Sequence, residues 1–249
     1  MLLNEITVNG TLFMITSTEI VGQFFSFMTG KACHIGRVLI IDSCPMIQVG
    51  IRHAFAQSGI QVGDYQNIPK VNGASEMLRR LPADLVVVEL NGSGVSILES
   101  LRMIGQLIAN WPKIRLIVCT RLTDSRLLKQ LVIMGVNGIY IKHEPLSALA
   151  RCVFQVMAGH CHYSLKIGMP AISRKTDSFP LTQRELDVLE SLFAGRSVTT
   201  TAQALHRDIR TISAHKRNAM VKLELHSDSD LYSWAAQVSV ADTAVNGGQ

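Results

Sequence analysis

The stretch Arg37-Val38-Leu39-Ile40-Ile41-Asp42-Ser43-Cys44-Pro45 decides the architecture. Four consecutive aliphatic residues suit a strand covered on both faces, Asp42 closes it, and Pro45 fits the first turn of a helix. In that helix Ile47, Ile51, Ala54 and Phe55 share one face. Outward from this unit the alternation repeats, with further apolar runs at residues 60–65, 85–90, 116–120 and 138–142 separated by segments of helical spacing. Strands alternating with helices predict a parallel sheet, so residues 37–159 are expected to form a doubly wound α/β, flavodoxin-like domain. In such open sheets the functional cleft lies beyond the carboxyl ends of the strands, which brings Asp42, Glu89, Thr120 and Lys142 together.

Composition limits what else the chain can be. With 249 residues, 47% hydrophobic and 17% charged, it is neither disordered nor short of core material, and two domains are expected. No run reaches the roughly 18 apolar residues of a membrane span, since Glu19 and Gln23 interrupt residues 11–28, so no membrane partner is expected. The first Lys or Arg is Lys31, which leaves no basic secretory leader and gives a cytoplasmic expectation. Cys33, Cys44, Cys119, Cys152 and Cys161 are odd in number and irregular in spacing, as for reduced thiols. His160-Cys161-His162 has no second ligand cluster at zinc-site spacing and reads as a turn; neither metal nor cofactor is expected. Residues 1–36 carry Phe13, Phe24, Phe25 and Phe27 and no chemical motif. They read either as an extra packed segment or, since Met14 and Met28 are alternative starts, as an upstream extension.

Residues 160–180 lack a sustained period and include Gly168, Pro170 and Pro180, the pattern of an interdomain linker. Residues 181–249 then read as helical. Leu181-Thr182-Gln183-Arg184-Glu185 has the spacing of a capping box; Val188, Leu189 and Leu192 supply a buried face, and Gly195 ends the helix. Asp208 can cap a later helix, and over residues 206–222 Arg207, Arg210, Lys216, Arg217 and Lys222 concentrate positive charge against Asp208 alone. The whole region from 166 to 249 is nearly neutral, with ten basic and nine acidic residues, so the cations are clustered by position. On charge alone, a solvated helix and a nucleic-acid surface are both open.

The strand-end residues Asp42, Glu89, Thr120 and Lys142, with Asp42-Ser43-Cys44-Pro45 and Ile141-Lys142-His143-Glu144-Pro145, resemble the receiver domain of bacterial response regulators. Leu181-Thr182, Arg184-Glu185, Val188-Leu189, Gly195, Ala202, Leu205 and the run Thr211-Ile212-Ser213-Ala214-His215-Lys216, Asn218, Met220, Lys222-Leu223 resemble the helix-turn-helix of LuxR/NarL/FixJ regulators. Within that family the resemblance points to Rcs-type regulators and their BglJ- and YjjQ-like relatives. It implies double-stranded DNA as partner, with a recognition helix entering the major groove. Ser213, Ala214 and Arg217 match base-touching positions and Arg210 shares their outward face; Lys216 flanks the groove, and Lys222 reaches phosphate. His215 is expected to pack or to meet phosphate rather than to catalyse. The last helix, with Leu231, Tyr232 and Trp234, is a common dimer surface in the family. The same residues can instead close the small domain's core, with Leu231 inside and Tyr232 and Trp234 at its edge. The resemblance further implies a homodimer or a heterodimer with an Rcs-type regulator, RNA polymerase as a partner, and a nucleoid-associated location.

Five residues depart from the family pattern. Ser43 replaces one of two metal-binding acids, and Glu89 stands at the phosphoacceptor position with one extra methylene. Glu89 has two readings: a fixed stand-in for a phosphorylated aspartate, or a relic that pairs with Lys142. Thr201 stands where an aliphatic scaffold residue is usual, and His206-Arg207 replaces a small-then-apolar turn. The expected function is a DNA-binding transcription regulator without catalysis. Its rivals are a phosphorelay response regulator and an α/β enzyme using Asp42, Glu89, Thr120 and Lys142 on a phosphorylated substrate. Asn91-Gly92-Ser93-Gly94 lacks nucleophile-elbow spacing and does not favour the enzyme.

Overall fold

The chain is seen in a computed structural model that describes residues 4–8, 11–15, 33–90, 95–164 and 179–243. Asn4–Val8 (β1) and Thr11–Ile15 (β2) pair antiparallel as a separate two-stranded sheet. The main body follows as His34–Ile41 (β3), Pro45–Gln57 (α1), Gln61–Ile68 (β4), Ala74–Arg80 (α2), Leu85–Glu89 (β5) and Ile97–Asn110 (α3). It continues with Arg115–Thr120 (β6), Ser125–Met134 (α4), Gly138–Ile141 (β7), Leu146–Met157 (α5) and His162–Tyr163 (β8). The sheet order is β4-β3-β5-β6-β7-β8, every pair parallel. The doubly wound expectation therefore holds, and the register aligns the strand ends, with Glu89 beside Cys119 and Thr120 beside Ile141.

Alternation along β3 sends Leu39 and Ile41 to one face of the sheet and Val38 and Ile40 to the other. The second face is covered by α1 and α5 through Phe55, Leu149 and Val153. Close approach of α5 explains Gly138: a Cβ there would stand 2.6 Å from Cys152 Sγ. On the first face, α3 and α4 contribute Leu101, Ile104, Leu128 and Leu131. Asp124 caps α4 by accepting from Leu127 N–H at 2.9 Å, and Ser96 caps α3 in the same way.

One boundary moves. The expected linker from 160 onward instead begins with β8, whose His162 and Tyr163 pair with Gly138 and Ile139. The open edge of β7 has backbone groups to satisfy, and a two-residue strand does so without any sequence period long enough to read. Residues 16–32, 91–94 and 165–178 lie outside the described residues, and with them Phe24, Phe25, Phe27, Asn91-Gly92-Ser93-Gly94 and most of the expected linker.

Among the described residues four helices follow: Gln183–Phe193 (α6), Val198–Ala204 (α7), Ile209–Lys222 (α8) and Asp228–Thr243 (α9). Their core is continuous with the α3–α4 side of the sheet, through Leu181, Leu186, Leu189 and Trp234. Polar contacts cross the same boundary. Arg102 on α3 reaches Asp187 and Glu190 on α6, both at 2.8 Å, and Lys129 pairs with Glu224. Gln130 is buried, donating to Lys222 O and accepting from Leu181 N–H, each at 3.0 Å. Trp234, 2% exposed, donates its indole N–H to Asp124 Oδ1 at 3.2 Å. This corrects the dimer-surface expectation for two residues. Leu231 and Trp234 are buried within the chain, Trp234 against the Phe193 ring of α6 and the Asp124 cap of α4; only Tyr232 of the three is exposed.

Candidate nucleic-acid interface

Three polar contacts tie the helices of the small body together. Thr182 Oγ1 accepts from Glu185 N–H, while Glu185 Oε2 accepts from Thr182 N–H at 2.7 Å, so the expected capping box is formed. Lys222, at the far end of α8, donates to the same Glu185 Oε2 at 2.7 Å and to Pro180 O at 3.0 Å. Burial alone would raise the Glu185 pKa, but the bonds from Lys222 and Thr182 outweigh it and hold the carboxyl below its usual range. Between α6 and α7, Thr201 is fully buried and its hydroxyl bonds Ser191 Oγ at 2.9 Å. The missing aliphatic contact is thus replaced by a satisfied polar pair, which the buried site requires.

Asp208 caps α8 by accepting from Arg210 N–H at 2.7 Å. Ile212, Ala219 and Met220 face inward, whereas Arg210, Ala214 and Arg217 lie exposed along one side and Ser213 is half-buried beside them. Among the described residues Arg207, Arg210 and Arg217 have no ion-pair partner. The other two expected cations are engaged. Lys216 pairs with Asp228 at 2.6 Å, and Lys222 is drawn inward by Glu185. Its phosphate role is therefore replaced by a structural one, because a buried carboxylate at the start of α6 needs a cation and Lys222 is the one within reach. His215 is half-buried in a groove of about 380 Å³ lined also by Arg184, Val188, His206, Arg207 and Thr211.

At the carboxyl ends of the sheet's strands the four strand-end residues meet. Lys142 Nζ donates to Asp42 Oδ2 at 2.8 Å and Glu89 Oε1 at 2.5 Å, while Asp42 Oδ1 accepts from Cys44 N–H at 2.8 Å. One ammonium serves two carboxylates, all three nearly out of water. Burial raises the Glu89 pKa more than Lys142 lowers it; for Lys142 the two carboxylates outweigh burial and hold the ammonium strongly protonated. Thr120 is fully buried and its hydroxyl oxygen accepts from Leu122 N–H at 3.0 Å. Behind it, burial pushes the Cys119 thiol up to about 12. Ser43 stands beside this cluster in the chain, where it brings no carboxylate.

Residues 179–235 match the luxR family of bacterial regulatory proteins. This part of the chain is a luxR-family domain. The body that precedes it is receiver-like. The luxR-family domain and the sheet together are similar to BvgA of Bordetella pertussis, named for positive regulation of virulence-factor transcription, at 27% identity over 82% of this chain and 99% of BvgA. They are similar also to the transcriptional regulatory protein RcsB of Salmonella typhimurium, at 24% identity over 83% of this chain and 96% of RcsB. RcsB from Salmonella enterica serovar Typhimurium, solved on promoter P1flhDC DNA with the phosphomimetic BeF3-, shares the fold. Its TM-score is 0.55 at 23% identity, covering 82% of this chain and 98% of RcsB. The relatives are transcription regulators, and the chain is one of that type.

Arg102, Asp124, Gln130 and Glu224 went unread as functional residues in the sequence. Each carries a polar contact between the sheet and the luxR-family domain, at separations of 85 to 110 residues. Pairing over such distances leaves no local spacing to detect. One signal lies in the sequence: Gln130 falls among Leu127, Leu128, Leu131 and Val132, and a polar residue in such a run has to find partners if buried.

Proposed function

We propose that the chain binds specific double-stranded DNA through α8 and regulates transcription without being phosphorylated. The observation that carries this reading is the open face of α8: Arg210, Ala214 and Arg217 lie exposed on a helix whose other side is locked into the domain core. The sheet docks on α6, the end of α8 and α9, away from that face, so the recognition surface stays open in the docked state. A helix so presented fits the major groove, with Arg217 and Ser213 reading base edges and Arg210 flanking them.

Independence from phosphorylation rests on the strand-end cluster. Ser43 supplies no second carboxylate for a divalent cation, and Glu89 carries its carboxylate one methylene away from where an aspartate would hold it. That carboxylate is already committed to Lys142, so the receiver-like body is held in one state and control passes to protein abundance and partner supply. DNA is bound as a homodimer or with an Rcs-type regulator, since one helix reads few base pairs and specific affinity needs two half-sites. Tyr232, exposed on α9, is the expected dimer residue that remains available to a partner.

The test is duplex selection from fragmented bacterial genomic DNA, followed by titration of the selected duplexes. Arg217→Ala is expected to lower affinity about 5- to 100-fold and to relax base preference at one position in each half-site. An unmodified base preference in that variant, or no salt-sensitive duplex binding by the wild type, overturns the reading.

A further inference from the structure

Three helices of the luxR-family domain end in the same way, and their end residues differ. After α6, Gly195 N–H bonds Leu192 O and Arg196 N–H bonds Ser191 O. After α7, His206 N–H bonds Gln203 O and Arg207 N–H bonds Ala202 O; after α8, Glu224 N–H bonds Val221 O and Leu225 N–H bonds Met220 O. Each is the paired closure that places the first residue beyond the cap in the left-handed region, at φ 81° for Gly195, 50° for His206 and 55° for Glu224. Glycine occupies that position without strain, whereas any side chain there is disfavoured.

Glu224 has a visible reason to be something other than glycine: its carboxylate takes the Lys129 ammonium from α4. His206 has none inside the chain. It is exposed, and among the described residues its side chain has no bonded partner. It stands at the rim of the groove between α6 and α8, next to Arg207 and opposite Arg184. The acids of that groove, Asp187 and Asp208, both have partners, Arg184 among them. Asp187 Oδ1 accepts from Arg102, its Oδ2 lies 3.9 Å from Arg184, and Asp208 Oδ1 accepts from Arg210 N–H. Two guanidinium groups and an imidazole thus line, with these two paired acids, a concave surface between α6 and α8.

We infer that His206, Arg207 and Arg184 form a cradle for a DNA backbone phosphodiester, and that His206 keeps a strained backbone in order to donate to it. The inference rests on the DNA-binding reading and adds the residues that anchor the duplex beside the recognition helix. A phosphate needs converging donors rather than shape-matched apolar walls, and contacts of this kind set the register of a helix on the duplex without reading sequence.

His206→Gly separates binding from folding, because it removes the imidazole and the strain together. In the full chain its melting temperature is expected to equal the wild type's or to exceed it by about 2–4 °C, while affinity for selected and non-selected duplexes falls alike, by about tenfold. Arg207→Gln is expected to lower the slope of log affinity against log salt by about 0.9, the share of one phosphate. Duplex affinity of His206→Gly within twofold of the wild type, with Arg217→Ala still impaired, overturns the cradle and leaves the DNA-binding reading standing. Loss confined to selected sequences also overturns it, since a phosphate contact carries no base preference. Absence of duplex binding by the wild type overturns both.

Discussion

Replacing Lys142 by Met tests the strand-end cluster most directly. Among the described residues the ammonium is the single cation for Asp42 and Glu89, at 2.8 and 2.5 Å, and the two carboxylate side chains are 3% and 10% exposed. Methionine fills nearly the same volume, so packing is conserved while both acids lose their counter-charge. Breaking a buried pair by removing one partner costs about 3–5 kcal/mol. In a chain of this length each kcal/mol moves the melting temperature by about 2–4 °C, so Lys142→Met is expected to melt about 6–20 °C below the wild type near neutral pH. The penalty belongs to the ionised carboxylates and therefore depends on pH. Burial already raises the Glu89 pKa with Lys142 present, and without it the folded state favours protonation further. A folded pKa above the unfolded one means the folded state binds more protons, so the variant regains stability as pH falls through the raised value toward about 4. Glu89→Gln in the Lys142→Met background removes one orphaned charge and is expected to restore about half of the loss. Circular-dichroism melts of the full chain at about pH 7.5 and about pH 5.5 read both effects. A Lys142→Met melting temperature within about 3 °C of the wild type, unchanged by pH, would refute the account of this cluster as one cation holding two buried acids.

Acyl-phosphate donors with Mg²⁺ are expected to leave the chain unmodified, and intact-mass spectrometry showing a stable phosphoryl adduct would contradict the proposed independence from phosphorylation. Gln130→Leu keeps the apolar packing of α4 but orphans Leu181 N–H and Lys222 O; a loss of about 1–3 kcal/mol is expected in denaturant titration, with faster proteolysis between the sheet and the luxR-family domain. Lys222→Ala is expected to act on stability rather than on the salt dependence of DNA binding. It strips the buried Glu185 of its cation, at about 2–3 kcal/mol given the partial exposure of the pair. Because the Glu185 pKa is lowered in the fold, its contribution in the wild type is full above the ordinary carboxylate range and fades as pH falls through the folded value; an acid titration of Lys222→Ala should lack that step.

The local order of this protein was legible in its residues. Hydrophobic runs of strand length, Pro45 at a helix start, and the spacing of Thr182 to Glu185 report interactions within a few positions of one another, and each produced the element expected of it. The strand-end set Asp42, Glu89, Thr120 and Lys142 was legible for the same reason, because parallel topology places strand ends side by side whatever the loops do. What the residues could not disclose was which cation meets which acid. Lys222 and Lys216 look like Arg217 in the sequence, yet Glu185 and Asp228 draw the first two away and leave Arg217 to solvent. Trp234 is similarly undecided until α4 is in place, since an amphipathic last helix buries its face against its own chain or a second one with equal local logic. Backbone closure after α7 is likewise hidden, because φ at His206 follows from where α8 must go rather than from the preference of histidine. Periodicity and capping act over a turn or two of chain and were decided by sequence alone. Charge partnership, the burial of α9 and the strain at His206 depend on contacts across tens of residues, and only the tertiary structure decided them.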